Sequence, residues 1–279
     1  MIVRAYAKVN LALDIVGVME NGYHDLDMIM APTSLYDEIE IVYSSQDKVE
    51  CDTYAIPENN TVSKMIQLLK KEYSISSCFH VKIHKNIPMM SGMAGGSTDA
   101  AAVLKAIMKM EQLSISFEQQ LSLAKQIGAD VPFCVYSQWA RVQGIGEIIK
   151  PIDTDLVLPC LLVKPEVGIS TPVAFKKWHE QKPLSVDVNL IQETIEQKDI
   201  SSLFKVMNNT LEPVAKEMEP ILNAIQNDME QCGIERVMMS GSGSTMMGFS
   251  KDISILEKAQ KELEKKYNFV KLVSIGGRK

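Results

Sequence analysis

The sequence predicts an α+β protein with two layered domains, and three observations support this fold class. Its 279 residues exceed the roughly 150 residues of a typical single domain, which favours two domains. Strand-like and helix-like apolar patterns occur in both halves, without a regular repeat. The apolar pattern pauses over residues 151–155, which include a proline and two acids, so we expect domains at 1–152 and 153–279.

The first half begins with strand patterns and continues with helices. Alternation of apolar and polar residues predicts strands, and apolar spacings of three and four predict helices. Asn60 and Ser116 are suitable caps for two of these helices, and Gly128 ends the second. Strands are expected over residues 2–7, 9–16, 38–42 and 78–84, and helices over 61–73, 98–110 and 117–127. Residues 128–133 place Asp130 between a helix end and a further expected strand.

The second half has the same mixed character. A short apolar run begins it, and a turn of small residues at 240–244 separates two later apolar strands. Opposite charges four residues apart in the last helix indicate a solvated face. Strands are expected over residues 158–163, 236–239, 246–249 and 270–275, and helices over 188–197, 202–208, 214–232 and 253–267.

Composition and charge exclude several classes of protein. Hydrophobic residues make up 46% and charged residues 23%, which is typical of globular domains. The formal net charge of −6 argues against nucleic-acid or anionic-membrane partners. Five scattered cysteines form no metal-ligand pattern and fit thiols in a reducing compartment. With no cleavable leader pattern and no run of about 20 apolar residues, we expect a cytoplasmic protein.

The most informative stretch is the glycine-bearing loop PMMSGMAGGSTDAAA at residues 88–102, which leads directly into a helix. Backbone N–H groups at a helix start, together with the positive end of the helix dipole, form a site for phosphate. The loop matches neither GxxxxGK[ST] nor GxGxxG, so it is neither a Walker A loop nor a Rossmann fingerprint. A second interpretation stays open, in which the small residues only permit tight packing.

Three other segments support the phosphate interpretation. Lys8 and Asn10 are two residues apart on a predicted strand and therefore project from the same face. Asp130 supplies a carboxylate after a helix, although such a residue is also an ordinary cap or surface charge. The turn at 239–245, MSGSGST, is a second stretch of small residues between apolar strands.

Together these motifs resemble those of the GHMP small-molecule kinases, which include galactokinase and homoserine, mevalonate and phosphomevalonate kinases. Further segments at 7–11, 21–24, 128–133, 144–147 and 168–175 are most similar to the branch of this family that acts on a cytidine diphosphate alcohol. The resemblance implies a ribosomal-protein-S5-like N-terminal domain, a ferredoxin-like C-terminal domain and an active site in the cleft between them. It also implies ATP and Mg²⁺, with transfer of a phosphoryl group to a hydroxyl of the small-molecule substrate.

The resemblance assigns roles residue by residue. The catalytic pair would be Asp130, which accepts the hydroxyl proton, and Lys8, its electrostatic partner. The substrate would be bound by Asn10, Tyr23, His24, Thr171 and Phe175, with the base held by aromatic rings. ATP would be bound by Asn60, Lys85, Gly92, Ala94, Gly95, Gly96 and Ser97, and Ser97 is also the one candidate Mg²⁺ ligand. Asn60 is equally suited to a plain helix cap.

The loop departs from the usual family pattern at four positions, and the substrate is not fixed by the motifs alone. The departures are Met90, Met93, Ala94 and Thr98. One alternative is a GHMP kinase for another alcohol, of the homoserine or mevalonate type. Another is a catalytically silent member that senses a nucleotide or metabolite. We interpret His80, His84 and His179 as structural, and the 17 methionines as core filling.

Overall fold

The computed structural model describes residues 1–20, 22–181 and 185–277, and these residues form eleven strands and ten helices. The strands are β1 Ile2–Val18, β2 His24–Ser44, β3 Lys48–Cys51, β4 Cys78–His84, β5 Ala140–Gly144, β6 Ile148–Pro151, β7 Leu158–Lys164, β8 Asn208–Asn209, β9 Arg236–Met239, β10 Met246–Phe249 and β11 Phe269–Ile275. The helices are α1 Thr61–Tyr73, α2 Gly95–Met110, α3 Phe117–Ile127, α4 Val131–Tyr136, α5 Thr171–Gln181, α6 Val188–Glu196, α7 Ile200–Val206, α8 Glu212–Met218, α9 Ile221–Gln231 and α10 Ile253–Leu263.

The chain divides into two compact units that are interleaved along the sequence. The first unit consists of Met1–Ala7, Leu35–Pro88 and Ala94–Ser137. The second consists of Lys8–Ser34, Met89–Met93 and Gln138–Lys279, of which residues 182–184, 278 and 279 lie outside the described part. The contiguous domains expected at 1–152 and 153–279 stay a prediction.

In the first unit, strands β3, β4 and the last part of β2 form a sheet covered by helices. β4 pairs antiparallel with β2 and parallel with β3. The alternate residues Phe79, Val81 and Ile83 of β4 are buried, as the period of a half-covered strand requires. They join one apolar core with the buried faces of α1 and α2, among them Leu69 and Leu104. This core fixes where helix α2 begins.

In the second unit, β7 is the central strand of an antiparallel sheet. It pairs with β11 on one side and with β10 on the other, and β10 pairs with β9. The methionine pairs 238–239 and 246–247 are buried on β9 and β10, which confirms their predicted role as core filling. Met89 and Met90 are different, because 55% and 54% of their surface is exposed. The first part of β2 pairs with β5, and β1 pairs with β8.

Several element predictions were wrong, for identifiable reasons. β1 is one continuous strand where two were expected, because the polar side chains at its centre are buried and paired rather than at a break. The segment after Asp130 is the helix α4, although its β-branched and aromatic residues favour a strand. The helix expected over 214–232 is two helices, α8 and α9, separated at Pro220. The sequence pattern also missed helix α5, the hairpin of β5 and β6, and most of β2.

The core of the first unit generates a stability prediction. Phe79 is fully buried, so Phe79→Ala leaves a cavity and should lower the free energy of unfolding by about 3–5 kcal/mol. Phe117 of the same unit is 43% exposed, and Phe117→Ala should lower it by less than about 1 kcal/mol. Urea denaturation of both variants measures the difference, and equal losses would contradict this assignment of the core.

Candidate functional site

Helix α2 begins in an unusual way. Ala94 precedes it in the left-handed conformation, with φ +58°, and no described side chain forms a cap hydrogen bond there. The first bonds of the helix are donated by the N–H groups of Ser97 and Thr98 to the Ala94 carbonyl oxygen, at 3.0 and 2.9 Å. The N–H groups of Gly95 and Gly96 come before these bonds and lie outside the helical ladder. An anion at this position would meet donors and the positive end of the dipole.

The two hydroxyls in this turn have different surroundings. Thr98 is buried, and its Oγ1 donates to the Tyr6 carbonyl oxygen at 2.7 Å, which anchors the helix on β1. Ser97 is partly exposed. Thr61 Oγ1 donates to the Gly96 carbonyl oxygen at 2.6 Å and joins the start of α1 to the start of α2. Of the two hydroxyls, Ser97 is therefore the one placed for a ligand.

Lys85 lies in a buried ion cluster beside the start of α2. Its Nζ is 2.5 Å from Asp37 Oδ2 and 2.5 Å from Asp99 Oδ2, and all three side chains are almost fully buried. A Cβ built on Gly95 would lie 3.1 Å from this Nζ, so the ammonium group lies directly against the glycine turn. The charge of Lys85 is already matched by carboxylates, which gives the residue a structural role in addition to the predicted one in ATP binding.

The two aspartates of this cluster have different environments. Asp37 Oδ1 accepts the backbone N–H groups of Asn86 and Ile87, at 2.6 and 2.8 Å, and so fixes the turn that follows β4. Burial, opposed by Lys85 and supported by the Asp37 carboxylate, raises the pKa of Asp99 to about 8. The cluster therefore joins β2, the turn after β4 and helix α2 through one buried cation.

Asn60 acts as the N-cap of α1. Its Oδ1 accepts the N–H groups of Val62 and Ser63, at 2.9 and 3.0 Å, and its Nδ2 donates to the Pro57 carbonyl oxygen at 2.8 Å. Both ends of the amide are thus used by the protein itself. The cap that the sequence left open is confirmed, whereas the contact with ATP stays a prediction.

Asp130 stands immediately before helix α4 and is partly exposed. Its carboxylate forms no capping hydrogen bond with α4 in the described structure. An aspartate at the start of a helix often serves as a cap, and that one explanation does not apply to this side chain.

In the second unit, Lys8 and Asn10 form a buried polar pair on β1. Lys8 Nζ donates to Asn10 Oδ1 at 2.8 Å, which confirms that the two side chains share a face of the strand. Lys8 is 4% exposed and Asn10 is fully buried. The backbone N–H of Asn10 donates to Ser240 Oγ at 3.3 Å. A buried lysine held in this way is a fixed positive charge rather than a mobile surface group.

Residues 89–93 of the glycine-bearing loop contact the small-residue turn at 240–245. Ser240 Oγ donates to the Gly92 carbonyl oxygen at 3.2 Å, and the N–H of Thr245 donates to the Ser91 carbonyl oxygen at 3.3 Å. Gly92 has φ +73°, and a Cβ there would overlap the Ser240 carbonyl oxygen. Only glycine therefore fits at position 92. The small-residue turn at 240–245 supports this part of the glycine-bearing loop.

Two further contacts involve predicted substrate residues and the departures in the loop. Thr171 Oγ1 is 2.7 Å from Ser242 Oγ, so the start of α5 reaches the same small-residue turn. Met90 has φ +47° and packs on Gly168, where an added Cβ would lie 2.6 Å from Met90 Cβ. The methionine at the loop entry is accommodated by a glycine of the 168–175 motif.

His24 packs into an aromatic cluster on α5, which also contains Phe175, Trp178 and His179. The rings of His24 and Phe175 are stacked, with centroids 4.5 Å apart, and Trp178 meets His24 edge-on at 6.0 Å. His24 Nε2 is 2.9 Å from His179 Nε2. Burial, with a smaller contribution from His179, lowers the pKa of His24 below its ordinary value.

The structure brings together two of the predicted base-binding residues, His24 and Phe175. Because the His24 and Phe175 rings already touch, a base lying between those two rings would have to separate them. Tyr23 is 60% exposed, and Asn21 of the same motif lies outside the described residues. Sequence reasoning missed Trp178 and His179, although residues 175, 178 and 179 have the spacing of one helical face.

Metal-ligand clusters and membrane-spanning helices are both absent from the described residues. The described residues contain no group of three or more histidine, cysteine, aspartate or glutamate side chains placed to hold a metal ion. Across the same part of the chain, no helix is both long enough and apolar enough to cross a membrane.

Comparison with family models and curated proteins gives consistent matches. The model of the GHMP kinases N-terminal domain matches residues 60–138, and that of the GHMP kinases C-terminal domain matches residues 191–268. A 4-diphosphocytidyl-2-C-methyl-D-erythritol kinase of Thermoanaerobacter pseudethanolicus is 38% identical over 272 residues, covering 96% of this chain and 93% of the relative. An enzyme of the same name from Clostridium botulinum strain Eklund 17B is also 38% identical, covering 96% and 97%.

Solved structures share the fold over the whole chain. The crystal structure of a 4-(cytidine 5'-diphospho)-2C-methyl-D-erythritol kinase superposes with a TM-score of 0.85 at 27% identity, covering 99% of this chain and all of that one. The mevalonate kinase of L. major, solved with R-mevalonate, superposes with a TM-score of 0.75 at 18% identity, covering 98% and 94%. The second likeness shows the shared fold alone.

The buried cluster at Lys85 generates the second prediction. Lys85→Met removes the cation between two buried carboxyl groups and should lower the free energy of unfolding by about 3–5 kcal/mol. Lys82→Met on the neighbouring strand β4, where the side chain is 49% exposed, should change it by less than about 0.5 kcal/mol. Denaturant titration of both variants provides the measurement. A Lys85→Met protein as stable as the control would contradict the structural role of the cluster.

Proposed function

The chain belongs to the GHMP kinase family, and from this premise we propose that it is an ATP-dependent kinase that phosphorylates the 2-hydroxyl of 4-diphosphocytidyl-2-C-methyl-D-erythritol. The products are the 2-phosphate and ADP, in the non-mevalonate route to isoprenoid precursors. The observation that carries the proposal is the 38% identity, over 96% of the chain, to kinases named for this substrate.

The start of helix α2 supports phosphate binding. Gly95 and Gly96 would offer the ATP phosphates backbone N–H groups that lie outside the helical ladder, and Ser97 would offer its partly exposed hydroxyl. Gly92 and Ala94 complete the predicted set, while Asn60 and Lys85 are expected near the adenine.

At this site, Mg²⁺ would bind mainly to the ATP phosphates rather than to protein side chains. The described residues provide no group of three or more histidine, cysteine, aspartate or glutamate side chains for it, and of the Ser97 and Thr98 hydroxyls, Ser97 is the one not already bonded to β1. Mg²⁺ commonly keeps several waters and binds substrate phosphates in this way. When bound, it would neutralise charge on the phosphoryl group during transfer.

The chemical step needs a proton acceptor and a fixed positive charge. Asp130 would orient the 2-hydroxyl and accept its proton, a role compatible with a carboxylate that does not cap its own helix. Lys8 would stabilise the charge of the moving phosphoryl group, and its bond to Asn10 holds its ammonium group in one orientation. The phosphoryl group passes directly from ATP to the alcohol, without a phosphoenzyme.

The cytidine end of the substrate would be bound by the second unit. Tyr23 and Phe175 offer ring faces, and His24 offers a ring edge that can form hydrogen bonds with the base. Thr171 is expected to contact the diphosphate or cytidine end. These side chains distinguish the proposed substrate from homoserine or mevalonate, which have no base to stack.

A kinase assay with ATP and a small panel of alcohols tests the proposal. We expect turnover of 4-diphosphocytidyl-2-C-methyl-D-erythritol and inhibition of that turnover by CMP or CDP. Turnover of homoserine or a mevalonate-type acid instead, without inhibition by CMP, would assign the chain to another branch of the family. No ADP formation with any alcohol, in a protein that still binds nucleotide, would contradict the proposed kinase activity and favour the silent sensor.

The proposed proton acceptor generates the third prediction. Asp130→Asn should lower kcat by about 10²–10⁴-fold with both substrates saturating, because the amide cannot accept the hydroxyl proton. Asp153→Asn, at an exposed loop position, is the matched control and should retain the wild-type kcat. Steady-state kinetics measures both, and a near wild-type kcat for Asp130→Asn would refute this role.

A further inference from the structure

His179 lies on the exposed face of α5, and its ring contacts the ring of His24. Its Nε2 atom lies 2.9 Å from Nε2 of His24, across 155 residues of sequence. A neutral imidazole carries a hydrogen on only one of its two nitrogens. A hydrogen bond between these two atoms therefore requires one ring to donate its Nε2–H and the other to accept with a bare Nε2. The tautomers of the two rings are coupled.

The surroundings indicate which ring donates. His24 is packed against Phe175 and Trp178, whereas His179 lies on the exposed side of α5. Burial disfavours the cation of His24 and lowers its pKa, which weakens its ring as a proton acceptor. His24 then donates its Nε2–H to His179. Its Nδ1 keeps a lone pair and can only accept a hydrogen bond.

Resting on the proposed function, we propose that His179 is a positioning residue that makes the nucleobase subsite select a base with an exocyclic amino group. By accepting the Nε2–H of His24, it leaves Nδ1 of His24 as an acceptor for that amino group. Cytosine presents an N4 amino donor, whereas uracil presents an O4 acceptor at the same place. Two acceptors facing each other cannot bond, so a uridine nucleotide is disfavoured.

The elements packed around this pair carry further charged side chains. His179 is the titratable group whose charge acts on His24. The charged side chains on these elements include Lys176 and Glu180 of α5, Asp25 of β2 next to His24, the pair of Lys177 with Glu217 of α8 at 3.1 Å, and the pair of Asp27 of β2 with Arg141 of β5 at 2.8 Å. Protonation of His24 at Nδ1 would convert the acceptor into a donor. The preference for cytosine should accordingly decline towards acid pH.

The test measures dissociation constants of CMP and UMP for the wild-type protein and two variants by calorimetry. We expect the wild type to bind CMP at least about tenfold more tightly than UMP, since one such base contact is commonly worth a factor of that size. His179→Ala should lower this ratio at least fivefold, because His24 is then free to adopt either tautomer. His179→Gln, whose amide oxygen can accept the same hydrogen, should restore the ratio.

The pH dependence separates a positioning role from a structural one. In the wild type, the pKa of His24 lies below the ordinary value of about 6.5. The CMP preference should therefore persist at neutral pH and decline only at pH values below the ordinary pKa. In His179→Ala, the neighbouring charge is gone, and what remains of the preference should begin to fall at a higher pH. Affinity for a non-hydrolysable ATP analogue should be unchanged in both variants, which reports that the fold is intact.

Each outcome bears on a different claim. A wild-type protein that binds neither CMP nor UMP would overturn the proposed function and this inference with it. A wild-type protein that prefers CMP, together with a His179→Ala variant that keeps both the ratio and the pH profile, would overturn only the role of His179.

Discussion

The start of helix α2 is the constraint on which the rest of the candidate site depends. A helix that begins without a side-chain cap forgoes about 1 kcal/mol of stabilisation, and Ala94 in the left-handed conformation adds a further cost of about 1–2 kcal/mol. Three interactions hold the turn in place despite this cost. They are the bond from Thr98 to Tyr6, the bond from Thr61 to Gly96, and the ion cluster centred on Lys85. The N–H groups left outside the helical ladder are a consequence of this arrangement.

The same arrangement explains how an acidic chain can have a site for phosphate. A formal net charge of −6 describes the whole surface, whereas an anion at α2 would experience the N–H groups and dipole of one turn. Lys85 has two carboxylates within 2.5 Å, and burial raises the pKa of Asp99 to about 8. At neutral pH the cluster is therefore close to neutral and adds little repulsion towards a bound anion.

Sequence reasoning succeeded where the signal is local. The side-chain alternation that places Lys8 beside Asn10 and the cap at Asn60 needs only a few neighbouring residues, and both are found. It failed where partners are distant or where propensity misleads. Asp37 and Asp99 meet Lys85 from 48 and 14 residues away, and α4 forms from residues that favour strands. The contact of His179 with His24 forms only when α5 lies against the start of β2, which the sequence pattern does not reveal.

This contrast separates what is general to the family from what is specific to one branch. The proposed phosphate recognition at α2 would use backbone N–H groups, so it would tolerate changes of side chain such as Ala94 and Thr98, provided that the turn keeps its conformation. Recognition of a base requires side chains with defined tautomers and ring orientations, and the contacts of His24 with α5 are of that kind. A change at these positions should alter the preferred substrate without disturbing the turn proposed to bind phosphate. On this proposal, the small-residue loop serves the phosphate chemistry that the GHMP kinases share, and the aromatic cluster decides the choice of alcohol.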